Sequence, residues 1–175
     1  MKPALFVTLF PKQLNNLLSF PTDFANAVWT QYRATLNADG VTVRETAVND
    51  GHGIFRTGGD RVQISAGRIT GFSDLQADGR QRVTVRIDPL ATGATFDLVS
   101  GTVIATTATG ANEVATIKRL RGDIFRCTVS CDSATGTRGV AFFTAQDAYT
   151  GATAETFVGD VTKGVKVYRM ALGYR

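Results

Sequence analysis

The chain has 175 residues, of which 43% are apolar and 19% are charged. This length and composition are typical of one folded domain with its own core, and they exclude a disordered polypeptide or a scaffold held together only by disulfides. The formal net charge of +4 comes from scattered basic residues, and the one short basic run, at 118–121, is typical of a solvated strand face or turn. We therefore expect no nucleic-acid partner. Because no apolar run approaches the ~18 residues of a spanning helix, we also expect no membrane partner.

The first fifteen residues differ from the rest and are predicted to form an N-terminal extension or arm. Their apolar run resembles a short signal peptide, but Pro3 and Pro11 bracket it and no small-residue cleavage site follows. An arm or first strand that packs on a neighbouring protein is the preferred interpretation. Its candidate anchors are the large apolar side chains Leu5, Phe6, Val7, Leu9 and Phe10. Residues 16–175 are predicted to form a single domain.

The stretch at 21–32, PTDFANAVWTQY, is the one place where the sequence allows a helical turn or two. Pro21, Thr22 and Asp23 are residue types that cap the start of a helix. Trp29 lies in an apolar context and is predicted to belong to the core.

From residue 41 onward the sequence indicates short β-strands separated by turns. Turn-forming clusters recur about every 8–12 residues, which is typical of a sandwich or barrel. The clearest strand is 82–87, where Val83, Val85 and Ile87 alternate with Arg82, Thr84 and Arg86, and 94–106 predicts a hairpin with Ser-Gly at its tip. Further strands are predicted at 41–47, 113–120, 123–131, 138–146 and 164–172. The fold class is therefore all-β, an antiparallel two-sheet sandwich.

The sequence offers little for catalysis. His52 is the single histidine, and its glycine-rich context, NDGHG, predicts a solvated loop tip rather than a catalytic base. No nucleophile motif, phosphate-binding loop or zinc ligand set is present. We expect no enzyme activity and no cofactor. Two open alternatives are a carboxylate pair for glycoside hydrolysis and a calcium site built from loop oxygens, but no ligand or pair can be named for either.

Aromatic side chains on a β-sandwich surface are a common platform for sugars, because ring faces stack on the apolar faces of sugars. Tyr149 lies in the turn-like QDAYTGAT and is the candidate for an exposed glycan contact. The other aromatic candidates are Trp29, Tyr32, Tyr168 and Tyr174.

The two cysteines, in FRCTVSCD at 125–132, invite interpretation as a metal half-site, a redox pair or a disulfide. On a strand, however, Cys127 and Cys131 share one face with Phe125 and Val129. Four residues of extended chain span roughly 13 Å, too far for a disulfide between the two cysteines. Two separate, reduced core thiols are predicted.

Several segments together resemble a family of jelly-roll, carbohydrate-binding-like domains in bacteriophage virion proteins. They are NLLSFPTDFANAVWTQ (16–31), GHGIFR (51–56), RITGFSDLQADGRQRVTVRI (68–87), ATFDLVSGTV (94–103), GDIFRCTVSC (122–131) and GVKVYRMAL (164–172). The resemblance departs from the family pattern where Ile124 and Phe125 replace a Trp-Tyr pair. It departs again where Tyr168 and Arg169 replace a Trp-Gly pair in the closing strand.

The resemblance implies a jelly-roll sandwich on a phage particle, assembled in the cytoplasm of the host bacterium. The leading hypothesis is a non-enzymatic virion structural protein, either a capsid or tail decoration or a small fibre or spike subunit. Its partners would be other virion proteins (capsid, portal or tail) and further copies of itself, with a trimer expected only for a fibre component. The alternative is a glycan-binding module for attachment to the host surface. A glycan-degrading enzyme is the weakest hypothesis.

Overall fold

A computed structural model describes residues 15–56, 58–90 and 92–174. These ranges contain one short 3₁₀ turn, Gly58–Asp60, and are otherwise built from strands and their connections. The strands are Trp29–Tyr32 (β1), Ala34–Leu36 (β2), Thr42–Glu45 (β3), Asn49–Asp50 (β4), His52–Arg56 (β5), Val62–Ile64 (β6), Gly67–Asp78 (β7), Arg82–Asp88 (β8), Thr92–Asp97 (β9), Thr102–Thr106 (β10), Ala111–Arg121 (β11), Ile124–Ser133 (β12), Gly136–Ala145 (β13), Phe157–Val158 (β14) and Gly164–Tyr174 (β15).

The strands form two large sheets. Sheet I has the order β1-β5-β13-β8-β9-β10, with β6 also paired to β13, and sheet II has the order β11-β12-β7-β15-β3-β2. A separate ribbon pairs β14 with β4, and the strand pairs are antiparallel throughout. The predicted all-β, two-sheet class is confirmed. Jelly-roll connectivity within that class stays a prediction.

The core lies between the inner faces of the two sheets. On β8 the predicted inward residues Val83, Val85 and Ile87 are each 0% exposed. Burial of such side chains contributes about 1.5–3 kcal/mol each. Trp29 also belongs to this core, as predicted, and its ring packs 5.5 Å from that of Phe24.

Strand β12 belongs to sheet II and turns its apolar side toward the core. The interpretation of its two cysteines as separate, reduced core thiols is confirmed. Cys127 and Cys131 are free and buried. Burial raises the pKa of the Cys127 thiol well above its usual range, and burial also raises the pKa of Cys131. Because the thiolate is the reactive form, both are inert core groups.

Residues 21–32, where the sequence allows a helical turn or two, form turns followed by β1 and no helix. A backbone hydrogen bond from the Met170 amide to the Pro21 carbonyl ties this segment to β15, and the Leu17 amide just before the segment donates to the Leu172 carbonyl of the same strand. The Trp29 indole donates to the Phe20 carbonyl at 2.8 Å. These contacts with a neighbouring strand outweigh the local helix signal.

The prediction of a solvated loop tip at His52 was wrong. His52 lies on β5 and is 0% exposed, with Nδ1 2.6 Å from the Arg33 carbonyl oxygen and Nε2 3.2 Å from that of Phe157. The adjacent Gly53 marks a close approach rather than a turn, because a Cβ there would collide with the carbonyl oxygen of Phe142 on β13.

Candidate binding groove on the outer face of sheet I

The outer face of sheet I is built by alternation along β1, β5, β13 and β8. Ala141 on β13 pairs with Phe55 of β5 on one side and with Arg86 of β8 on the other. Cross-strand partners point to the same side of a sheet, so the two large side chains flank a small one. This register places Phe55 and Arg86 on the outer face on either side of Ala141, which is itself fully covered.

The next row across the same strands adds two more rings. Tyr32 on β1 pairs with Gly53, which in turn pairs with Phe143 on β13. The glycine lets β5 and β13 approach closely between the two rings.

Together these side chains line an open groove of about 280 Å³, which we call the aromatic groove. It is lined by Tyr32, Phe55, Arg61, Arg86, Asp88, Pro89 and Phe143.

The three rings have fixed neighbours. The centroids of Tyr32 and Phe55 are 5.9 Å apart with a tilt of 53°, and the guanidinium of Arg86 lies 5.8 Å from the centroid of Phe143. The Tyr32 hydroxyl donates to Asp50 Oδ2 at 2.9 Å, and this hydrogen bond raises the pKa of the phenol. The rings are therefore held in place before any ligand binds.

The charged groups of the groove are less well paired. Arg86 Nη2 lies 2.9 Å from Asp88 Oδ1, but the geometry of this contact is not that of a hydrogen bond. Within the described ranges, Asp88 Oδ1, Arg86 Nε and Arg61 Nε are all buried without a hydrogen-bond partner. These Nε atoms are themselves covered, but each guanidinium also carries Nη donors, and Arg61 and Arg86 both line the groove, where a ligand could meet those donors.

Arg61 reaches the groove because of a glycine on β13. A Cβ built at Gly139 would lie 2.8 Å from Arg56 Cβ and 3.3 Å from Arg61 Cγ. The missing side chain makes room for the two arginine stems to cross the strand.

The other end of this outer face is covered by the chain between β13 and β14. Arg82 Nη1 donates to the carbonyl of Tyr149 at 2.5 Å, and Thr84 Oγ1 donates to the carbonyl of Thr153 at 3.3 Å. The Tyr149 side chain is half-buried, and its hydroxyl donates to the same Thr153 carbonyl at 2.9 Å. Tyr149 is thus outside the residues that line the groove, and its role as a glycan contact stays a prediction.

The predicted anchors of the N-terminal arm, Leu5, Phe6, Val7, Leu9 and Phe10, lie outside the described residues.

Two other aromatic candidates are on sheet II or beside it. Tyr168 lies on the outer face of sheet II, and the Tyr174 hydroxyl accepts a hydrogen bond from the Ser65 amide at 2.6 Å.

A second depression, of about 260 Å³, lies on the outer face of sheet II. It is lined by Asp74, Leu120, Arg121, Ile124 and Tyr168. The polar groups of Asp74 and Tyr168 are already engaged, because Arg126 donates to both oxygens of Asp74 and the Tyr168 hydroxyl donates to Gln76 Oε1 at 2.6 Å. It also offers one ring where the aromatic groove offers three, and it is the weaker candidate for a ligand site.

The described residues contain no group of three or more His, Cys, Asp or Glu side chains placed to hold a metal ion. Among these residues, no helix has the length and apolar character needed to cross a membrane.

Sequence reasoning named Tyr32 as an aromatic candidate and placed Arg86 on the outward side of its strand, but it missed the rest of the groove. A signal for Phe143 was present in AFFTA, because one of two consecutive phenylalanines on a strand must point away from the core. No comparable signal marks Arg61, whose position depends on a glycine far along the chain.

Comparison with known proteins gives no assignment: no protein-family model matches the sequence, and no curated protein matches it.

Proposed function

We propose that this chain is a non-catalytic glycan-binding module of a bacteriophage particle, which contributes to attachment at the host surface, and that the aromatic groove is its ligand site. The observation that carries the proposal is the juxtaposition of three rings with incompletely paired arginine and aspartate groups in one open groove.

The chemistry of the groove suits a sugar. The half-buried rings of Tyr32 and Phe55 offer stacking surfaces for the C–H faces of pyranose rings, whereas Phe143 is 7% exposed and contributes little accessible ring surface. The guanidinium nitrogens and the carboxylate between them supply donors and an acceptor for hydroxyl groups. An open groove also admits an internal segment of a polymer.

Binding rather than hydrolysis is favoured by the number of carboxylates. Glycoside hydrolysis generally needs two carboxyl groups that flank the scissile bond. Asp88 is the one carboxylate among the described residues that line the groove. The nearby Asp50 is engaged by the Tyr32 hydroxyl and by Arg33 Nε, at 2.9 and 3.4 Å.

The phage setting rests on the resemblance of residues 16–172 to jelly-roll domains of virion proteins. In that setting the sandwich is a decoration or a small fibre or spike subunit that contacts other virion proteins. Mass spectrometry of purified particles tests this part: the chain should be present at a fixed copy number. Its absence from particles would refute the virion assignment and leave the glycan site untouched.

The glycan site is tested by titrating the purified protein with host surface polysaccharide. Replacing Tyr32 with alanine should lower the affinity about 3- to 10-fold, because an aromatic contact contributes about 0.5–1.5 kcal/mol. Tyr168→Ala is the matched control, since it removes a half-buried tyrosine from the other sheet. Equal affinity for the two variants, or no saturable binding by the wild type to any host polysaccharide, would overturn the proposal.

A further inference from the structure

The unpaired donors of the aromatic groove indicate what kind of sugar it would take. The Nε atoms of Arg61 and Arg86 are buried and have no hydrogen-bond partner among the described residues. One more arginine, Arg82, has such an Nε atom, and it lies on the same outer face under the segment that contains Tyr149. The groove therefore holds two of the three arginines whose Nε atom is buried and unpartnered.

Two buried arginines elsewhere in the described chain, Arg56 and Arg138, are more extensively paired. Arg56 donates three hydrogen bonds, to the carbonyls of Asp60 and Ser19 and to the Ser19 hydroxyl. Arg138 likewise donates to Ser133 Oγ and to two carbonyl oxygens. Arg61 and Arg86 are thus less completely paired than these two arginines, and they share this property with Arg82 on the same outer face.

The charge of the lining points in the same direction. Arg61 and Arg86 contribute two positive charges and Asp88 contributes one negative charge. At the Tyr32 end, the cation of Arg33 is already paired with Asp50 at 3.4 Å. The lining consequently carries an excess positive charge that no described side chain neutralises.

We propose that the ligand of the aromatic groove is an acidic glycan, with a sugar carboxylate bound by the guanidinium groups of Arg61 and Arg86 while the neighbouring sugar faces stack on the rings. This inference rests on the proposed function and names its ligand class. A guanidinium presents parallel N–H donors that match the two oxygens of a carboxylate, and hydrogen bonds between ionised groups are about twice as strong as neutral ones.

The test uses polygalacturonate, alginate and hyaluronan as probes, each compared with the same polymer after chemical reduction of its carboxyl groups to alcohols. At least one native polymer should bind the full chain about tenfold or more tightly than its reduced form. Arg61→Gln should remove most of this preference, with little effect on the reduced polymer. Lys118→Gln, which removes an exposed cation from sheet II, should leave the preference intact.

Three outcomes would overturn the inference. These are no binding to any native polymer, equal affinity for native and reduced forms, and equal loss in Arg61→Gln and Lys118→Gln. Binding of neutral glycans that Tyr32→Ala abolishes would leave the proposed function standing while the acidic ligand class fails. Absence of binding to every glycan would remove both. If thermal melting shows that Arg61→Gln folds poorly, Arg61→Lys is the second variant. It keeps the positive charge but lacks the parallel N–H donors of a guanidinium, and it should lose part of the preference for native polymers.

Discussion

An arginine–aspartate pair lies on the outer face of each sheet, and the two pairs are built differently. On sheet II, Arg126 donates to Asp74 through Nε at 2.7 Å and Nη2 at 2.8 Å, and its guanidinium stacks 4.1 Å from the centroid of Phe72. On sheet I, Arg86 contacts Asp88 through one nitrogen, its Nε is unpartnered, and its distance to the Phe143 centroid is 5.8 Å.

The difference shows how the same residue types serve stability in one place and recognition in another. The bidentate pair engages both oxygens of Asp74 and fixes the guanidinium of Arg126 on a ring, and the hydrogen bond with Asp74 raises the pKa of Arg126. The open pair on sheet I retains unused donors and an acceptor beside three rings. Side-chain content alone therefore does not identify the binding face; the completeness of pairing does.

The largest expected effect concerns a buried and fully hydrogen-bonded ion pair between β3 and the residues just before β8. Glu45 and Arg80 are joined by two hydrogen bonds of 2.6 and 2.9 Å, and their side chains are 0% and 7% exposed. Glu45→Ala strands a buried guanidinium and should lower the free energy of unfolding by about 3–5 kcal/mol. Chemical denaturation measures the free energy of unfolding, and a loss below about 1 kcal/mol would show that the pairing of Glu45 with Arg80 contributes little to stability.

A direct comparison of the two outer faces comes from truncating each aspartate. Asp74→Ala should cost about 2 kcal/mol, because it breaks a bidentate pair whose arginine is one-third exposed. Asp88→Ala should cost about 1 kcal/mol or less, because its contact with Arg86 lacks hydrogen-bond geometry. The same denaturation experiment measures both. The reverse order of the two losses would contradict the distinction between a closed and an open pair.

The smallest expected effect concerns an exposed carboxylate that accepts hydrogen bonds from neighbouring residues of the chain. Asp39 accepts hydrogen bonds from the Thr42 hydroxyl and amide and from the Val41 amide, which lower its pKa to about 2. A depressed folded-state pKa stabilises the fold above the unfolded pKa of about 3.9, and that contribution disappears as the pH falls toward 2.

Asp39→Asn should therefore flatten the pH dependence of the melting temperature between about pH 4 and pH 2, relative to wild type. Asp123, an exposed acid in the turn between β11 and β12, provides the control as Asp123→Asn. An unchanged slope in the Asp39 variant would refute the assignment.

The sandwich was predictable because its signals are local. The alternation in 82–87 and 125–131 identified the inward faces of β8 and β12, and the Ser-Gly turn identified the β9–β10 hairpin. Glu45 fell on the inward side of the predicted 41–47 strand, although nothing local revealed that Arg80 would neutralise it. Arginine partners of this kind are set by tertiary contacts.

The groove was mostly not predictable, for the same reason. Its lining comes from β1, β5, β8 and β13 and from Arg61, and the register that places Phe55 and Arg86 on either side of Ala141 is decided by pairing between distant segments. His52 shows the converse error. Its glycines indicated a turn, while in the structure Gly53 permits close packing against β13.

The central claim, that the aromatic groove and not sheet II is the ligand site, is tested most directly by NMR. Isotope-labelled protein would be titrated with oligosaccharides prepared from the host surface polysaccharide, and the backbone amide shifts would be mapped. We expect saturable shifts that cluster at Tyr32, Phe55, Arg86 and Ala141. Shifts that cluster at Phe72 and Tyr168 on sheet II, or no shifts with any oligosaccharide, would contradict the account.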